Sequence, residues 1–336
     1  MSSKNAEPAI AAEAAASADV AAPVKEELCA AEARLSRLLD SNESLISEIC
    51  HYLVDGGGKR LRPLFILLVY RACGGPDRKI DDAIDAAIAL ELIHSATLLH
   101  DDIIDGGLLR RGKPSAFARY GNAPSLVAGD FLFCRAFELC GRFEERLVRT
   151  AAQACIQLTE GEVMEGRMRH NAAATLDDYL AVITRKTASL FAAGGRVAAD
   201  LAGATPKLIT AMDKLGLAIG RAFQMVDDLL DVIGPEERIG KPVGSDLREG
   251  IISLPVVLGV QSNSALAHDF RAGTPIEGPA FDRALTMMRE PSLLARGRAL
   301  AAEQVAVARG LLDQLKPSIY RDSLATLVDD QLTRPA

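Results

Sequence analysis

Three carboxylates closing an apolar run constrain this chain more than any other stretch. Leu98-Leu99-His100-Asp101-Asp102-Ile103-Ile104-Asp105 is followed by Gly106-Gly107 and then by Arg110-Arg111. On a helix, Asp101 and Asp105 stand four residues apart and Asp102 and Asp105 three, so all three are expected on one face of the last turn. That is an unfavourable address for anions. The helix dipole concentrates negative charge there, at a cost on the order of a few tenths of a kcal/mol per carboxylate, and the carboxylates repel one another. A bound cation relieves both problems.

The constellation returns as Asp227-Asp228-Leu229-Leu230-Asp231, again on an apolar helical pattern, before Gly234-Pro235 and a loop carrying Lys241. Two such helix ends can face each other across a cavity. Oxygen donors with no nearby Cys or paired His suit Mg²⁺, which takes one or two carboxylates and completes its shell with water and substrate phosphate. A third copy of the spacing, Asp81-Asp82-Ala83-Ile84-Asp85, follows Gly74-Gly75-Pro76 and opens a helix. Acids complement the dipole at that end and cap free N–H groups, so this copy reads as structural.

Basic residues cluster in matching places. After Asp55-Gly56-Gly57-Gly58 the chain reads Lys59-Arg60-Leu61-Arg62-Pro63. The glycines allow a tight turn, and Lys59, Arg60 and Arg62 leave it as a compact cluster suited to a polyanion. A solvated turn kept soluble by its charges is the plain alternative. His94 lies seven residues before Asp101, two turns back on the same face, where it either reaches the cavity or sits satisfied in the core. Gly106 to Pro114 reads as a loop with Arg110, Arg111 and Lys113. Arg185-Lys186-Thr187 interrupts an apolar helical face, where a Lys can also snorkel to water. Gln224 sits one turn before Asp227, and Glu160 and Glu162 read as surface or supporting residues. The stretch 234–246 is too rich in Gly and Pro for a helix and long enough for a lid.

A hydrophobic content of 49% over 336 residues gives ample core, and a net charge of −7 argues against a nucleic-acid partner. Aromatics make up 4% and Trp is absent, which with abundant Ala and Leu favours helices. Helical periodicity is readable over 26–54, 63–73, 79–105, 124–141, 143–168, 175–202, 206–232 and from 251 onward, with no convincing strand alternation. The expected fold class is all-α: an Ala-rich disordered tail over 1–25, then one helical domain over 26–336. The longest uninterrupted apolar run, Leu64 to Tyr70, is too short for a transmembrane segment. Six cysteines, all single, read as small buried hydrophobes in a reducing, cytoplasmic setting.

Taken in order, Gly57 to Pro63, His94 to Asp105, Arg110-Arg111-Gly112, Gly129-Asp130, Lys186-Thr187, Phe223-Gln224 with Asp227 to Asp231, and Gly240-Lys241 with Gly244 to Leu247 strongly resemble the trans-isoprenyl (polyprenyl) diphosphate synthases. The resemblance covers nearly all of residues 26–331. It implies a helical bundle around a deep central cavity, in which Asp101, Asp105, Asp227 and Asp231 bind Mg²⁺ that holds an allylic diphosphate, with Asp102 and Asp228 in the same catalytic clusters. Lys59, Arg62, His94 and Arg111 match positions that bind isopentenyl diphosphate. Arg110, Lys186, Thr187, Gln224 and Lys241 match the allylic side. A homodimer is implied too, and a peripheral membrane contact for product release is compatible with it.

In the resembled family, aromatics one turn before the first aspartates form a floor that stops growth at short chains. Here those positions are Ala96 and Thr97, with Ile93 and Leu92 below, so a hexaprenyl to decaprenyl product is expected, with a floor near Phe131 to Phe137. The chain departs from the family at Ile251 and Ser253, where Lys and Thr are common, and at Phe117, where His is frequent. A terpene cyclase of the same architecture and a catalytically silent partner subunit are the competing readings. An Asp-rich second cluster counts against the first, and retention of both carboxylate sets against the second.

Overall fold

The structure is a computed structural model that describes residues 20–58, 60–234, 243–271 and 276–333. Its helices run α1 (Lys25–Leu38), α2 (Ser44–Val54), α3 (Leu61–Ala72) and α4 (Ile80–Ile104). A two-stranded hairpin follows, β1 (Leu109–Arg110) and β2 (Lys113–Pro114), then α5 (Ala116–Tyr120), α6 (Asn122–Cys140), α7 (Glu145–Met168) and α8 (Leu176–Ile183). A π-turn, Thr184–Ala188, leads into α9 (Ser189–Leu201) and α10 (Pro206–Ile233). The remainder is α11 (Ser245–Glu249), α12 (Leu254–Ser262), α13 (Ser264–Phe270), α14 (Gly278–Met288), α15 (Pro291–Leu312) and α16 (Ile319–Thr333).

The bundle is built around α4. Its apolar residues are spread over every face, and Ile88, Leu92, Ile93, Ala96 and Leu99 are all fully buried. A helix of that kind is stable only with neighbours on all sides. It finds them in α6, α3, α9 and α1. Each buried Ile or Leu contributes about 1.5–3 kcal/mol over its exposed state. Asp77–Ile104 is long and apolar enough to cross a membrane by length and composition, yet 83% of that window is buried inside the protein. The second long helix, α10, is started by Thr205, whose hydroxyl accepts from the Leu208 N–H, with Pro206 in its first turn. It packs between α9 and α15.

Several expectations need correction. The helical stretch 26–54 is two helices, broken around Asp40-Ser41-Asn42, residues that favour turns. Residues 20–25, counted in the tail on composition, are packed: Val20 and Val24 are buried against the main core. The loop after α4 contains strands, because Arg111 (φ 53) and Gly112 (φ 73) form a two-residue turn with both φ positive, the geometry that closes a hairpin. Cys29 and Cys134 are exposed rather than buried; all six cysteines are free.

Candidate active site

A cavity of about 810 Å³ is lined by the C-terminal ends of α4 and α10, the hairpin, α8, the π-turn, Glu165 of α7, and residues 245–253. Helix α4 ends in a Schellman motif: the Gly107 N–H donates to Asp102 O (2.8 Å) and the Gly106 N–H to Ile103 O (3.3 Å). Gly106 takes the left-handed φ of +64° that this ending requires.

The three carboxylates there do not behave as one set. Asp102 is buried, lines the cavity and is held by one edge of the Arg110 guanidinium, whose Nε donates to both oxygens (3.0 and 2.9 Å) and whose Nη2 donates to Oδ1 (2.7 Å). The hairpin turn is what aims Arg110 back at the helix. Asp105 lines the cavity and accepts from Arg169. Asp101 is not among the lining residues; burial pushes its pKa up to about 7, against the pull of Lys186.

At the second helix end Asp227 and Asp228 line the cavity. Asp228 is pinned, accepting from Gln224 Nε2 (2.8 Å), the Tyr179 hydroxyl (2.7 Å) and the Leu254 N–H (2.9 Å). Burial, reinforced by Asp246, raises its pKa. Asp231, expected as a metal ligand, is buried and does not line the cavity. It accepts from Ser245 Oγ (2.9 Å) and the Asp246 N–H (3.3 Å), which fastens α11 to α10.

Lys186 and Thr187 lie in the π-turn and both line the cavity. Helix α7 comes very near this turn at Gly161, where a Cβ would sit 2.5 Å from the Lys186 backbone nitrogen. The approach brings Glu162 (2.7 Å) and Glu165 to the Lys186 ammonium. Burial alone would lower the Lys186 pKa, but Glu165, Asp101 and Glu162 more than offset it and hold it above its usual value. Glu162, read from sequence as a surface or supporting residue, is therefore a largely buried ion-pair partner. Thr187 Oγ1 donates to Gln224 Oε1 (2.8 Å).

Arg110 and Arg111 line the cavity, whereas Arg62 and His94 are not among its lining residues. Arg62 is half-buried; its Nε is buried with no hydrogen-bond partner among the described residues, and its guanidinium stands 4.7 Å over the Phe191 ring. Burial lowers its pKa to about 10, while Glu91 and Asp227 oppose the fall. A half-buried cation with an unused buried donor is receptive to an anion. His94 is driven well below its ordinary pKa by burial and then by Arg62, Arg110, Arg111 and Arg60, so it is neutral near pH 7. Arg111 is exposed beside Gly58, and Arg60 turns inward to pair with buried Glu91 (3.2 Å). Lys59 and Lys241 lie outside the described residues.

Sequence reasoning missed Arg169, Glu165, Tyr179 and Glu91. Only the i, i+3 spacing of Glu162 and Glu165 beside Gly161 offered a signal; the other pairings are long-range. Ala96 is fully buried, Thr97 nearly so with its hydroxyl donating to His94 O (2.8 Å), and neither lines the cavity. Phe137 is 48% exposed and faces outward, so it cannot form a floor within one subunit. Ile251 and Ser253 both line the cavity, and the Ser253 hydroxyl is buried without a hydrogen-bond partner among the described residues.

Among the described residues no three His, Cys, Asp or Glu side chains are grouped closely enough to hold a metal by themselves. The donors at the two helix ends are all carboxylate oxygens, which fit a hard cation whose shell is finished by water and phosphate.

A cavity lined by two acidic helix ends together with Arg110, Arg111 and Lys186, in a bundle of helices, defines an isoprenoid synthase. The polyprenyl synthetase family model matches residues 43–272, and the chain belongs to that family. It is a prenyltransferase. A nonaprenyl diphosphate synthase of Mycobacterium tuberculosis is 35% identical over 309 residues, covering 90% of this chain and 92% of the relative. A short chain isoprenyl diphosphate synthase of Methanothermobacter thermautotrophicus is 35% identical over 292 residues, covering 84% and 88%. A polyprenyl synthase from Caulobacter crescentus CB15, solved with calcium and isoprenyl diphosphate, superposes with a TM-score of 0.89 at 33% identity, over 95% of this chain and 98% of that one.

Proposed function

We propose that the protein condenses an allylic diphosphate with successive isopentenyl diphosphate units, with Mg²⁺, to a hexaprenyl to decaprenyl product. The observation that carries this reading is the convergence on one cavity of Asp105, Asp227 and Lys186 from three separate elements, with Arg62 acting electrostatically on Asp227.

Asp101, Asp105 and Asp227 would hold the metal. Asp231 acts from behind by fixing α11, and Asp102 and Asp228 are already committed to Arg110 and to Gln224 and Tyr179. A bound divalent ion supplies charge neutralisation for the leaving diphosphate. Lys186, Thr187, Gln224 and Arg110 orient that group, joined by Lys241, so that the C–O bond ionises to an allylic cation. Arg62, His94, Arg111 and Lys59 hold isopentenyl diphosphate with its double bond toward the cation. Its attack forms the new C–C bond, and the proton lost passes to the departed diphosphate.

The relatives make products of different length, so overall identity does not decide it and the residues along α4 must. We place the growing chain on a path that opens past Ala96 and Thr97 as units are added. Apolar burial along it is worth roughly 25 cal/mol per Å². The test is an assay of the purified protein with Mg²⁺, isopentenyl diphosphate and allylic primers of increasing length, the products resolved by chromatography. The unaltered chain is expected to give six to ten isoprene units and Ala96→Phe a markedly shorter product. Farnesyl or geranylgeranyl diphosphate from the unaltered chain, or no change in the variant, sinks the length assignment.

We further place a homodimer interface on α6 and α7, which expose Leu126, Val127, Phe137, Ile156 and Val163. A peripheral membrane contact falls at exposed Ile104, Leu108 and Leu109 beside the cavity mouth, and the single free cysteines suit the cytoplasm. Light scattering should give the mass of two chains, and vesicle flotation should lose its signal in Leu108→Glu.

A further inference from the structure

The turn leaving α7 joins the first acidic helix end to the segment that follows the second. Arg169 caps α7 and its guanidinium donates to Asp105 Oδ1. His170 takes a left-handed φ of 58°, uncommon for a residue with a side chain. Its N–H donates to Gly250 O (2.9 Å), and its ring lies so close that a Cβ on Gly250 would come within 2.3 Å. Phe270 packs against the same ring at 5.6 Å. Gly250 (φ +73°) ends α11, the helix whose first residues hold Asp231. The backbone, anchored at both sides, therefore sets where Arg169 can reach.

Five carboxylates gather around the end of α4 (Asp101, Asp102, Asp105, Glu162 and Glu165), and three cations answer them. Arg110 is committed to Asp102 and Lys186 to the two glutamates. Arg169 instead sits on Asp105, a carboxylate that lines the cavity, while lying outside the lining itself. An arginine stays protonated at any physiological pH. A divalent ion arriving at Asp105 must therefore displace Arg169 or endure its repulsion.

We propose that Arg169 is a positioning residue that acts as a latch, holding Asp105 in the free enzyme so that metal loads there only together with a diphosphate. The oxygens of the diphosphate restore the negative charge that Arg169 cancels. This rests on the reading of Asp105 as a metal ligand.

The test titrates Mn²⁺ alone into the full-length protein, counting free ion by electron paramagnetic resonance, with and without inorganic diphosphate. Without diphosphate, Arg169→Gln is expected to bind about tenfold tighter than the parent. Arg169→Lys, which keeps the charge, should stay near the parent, and added diphosphate should narrow the difference. Unchanged or weaker binding in Arg169→Gln overturns the latch. If Asp105→Asn has weakened binding in the same experiment, the metal reading survives that loss; if Asp105→Asn binds Mn²⁺ like the parent, the metal reading falls and the latch with it.

Discussion

Replacing Asp101 or Asp227 by Ala is expected to lower turnover by on the order of a thousandfold or more, while Asp81→Ala leaves it within about twofold. Metal-assisted departure of a diphosphate depends on several kcal/mol of charge stabilisation, and each ~1.4 kcal/mol lost is a factor of ten in rate. Asp81 shares the spacing of Asp101 but sits at the opposite end of α4, where it pairs with Arg34 (2.7 Å) on the surface. An exposed pair of that kind contributes about 0–1 kcal/mol to stability. Initial rates at saturating substrates and Mg²⁺ make the comparison. Equal losses for the Asp81 and Asp101 variants would overturn the assignment by position.

The same control copy hides a residue of another kind. Asp85 is 3% exposed and accepts from both Arg34 and Arg142, while Asp82 takes Arg142 as well (2.7 Å). Removing one partner of a buried ion pair costs about 3–5 kcal/mol, because the remaining charge is left uncompensated. The two arginines are partly exposed and can rehydrate, so Asp85→Ala is placed at or below the low end of that range. Thermal or denaturant unfolding should show that loss, with the catalytic constants of the folded fraction unchanged. A change in kcat with no change in stability would contradict it.

What could be read from sequence was what depends on local pattern. The bounds of α4, α6, α7 and α10 fall within about two residues of those expected, since apolar periodicity and Gly or Pro punctuation are local signals. The Asp81 cluster was placed correctly at a helix start, but for an incomplete reason. The cap position is Lys79 with no side-chain cap, and the acids are occupied by arginines from α1 and from the α6–α7 turn. Which carboxylate serves which cation was not legible, because Arg110, Arg169 and Lys186 meet their partners across 8 to 85 residues of chain, the last being Lys186 with Asp101. Asp102 and Asp105 do line one cavity, as their spacing suggests, whereas Asp101 is not among its lining residues. Their partners set them apart: Asp102 is bound by Arg110 of the hairpin and Asp105 by Arg169.

The π-turn at Thr184–Ala188 carries a consequence for how this site tolerates change. An α-helix advances about 100° per residue, and a π-turn takes up one extra residue as a local bulge. Before the turn Tyr179, Val182 and Ile183 face the cavity; after it Leu190 and Phe191 are locked into the core. The added residue is absorbed within the turn, and one continuous rod serves two masters. Deleting one residue between 184 and 188 would return the turn to plain α-helix and leave the two flanking halves on their present faces, but it would remove the bulge that carries Lys186 to Glu162 and Glu165.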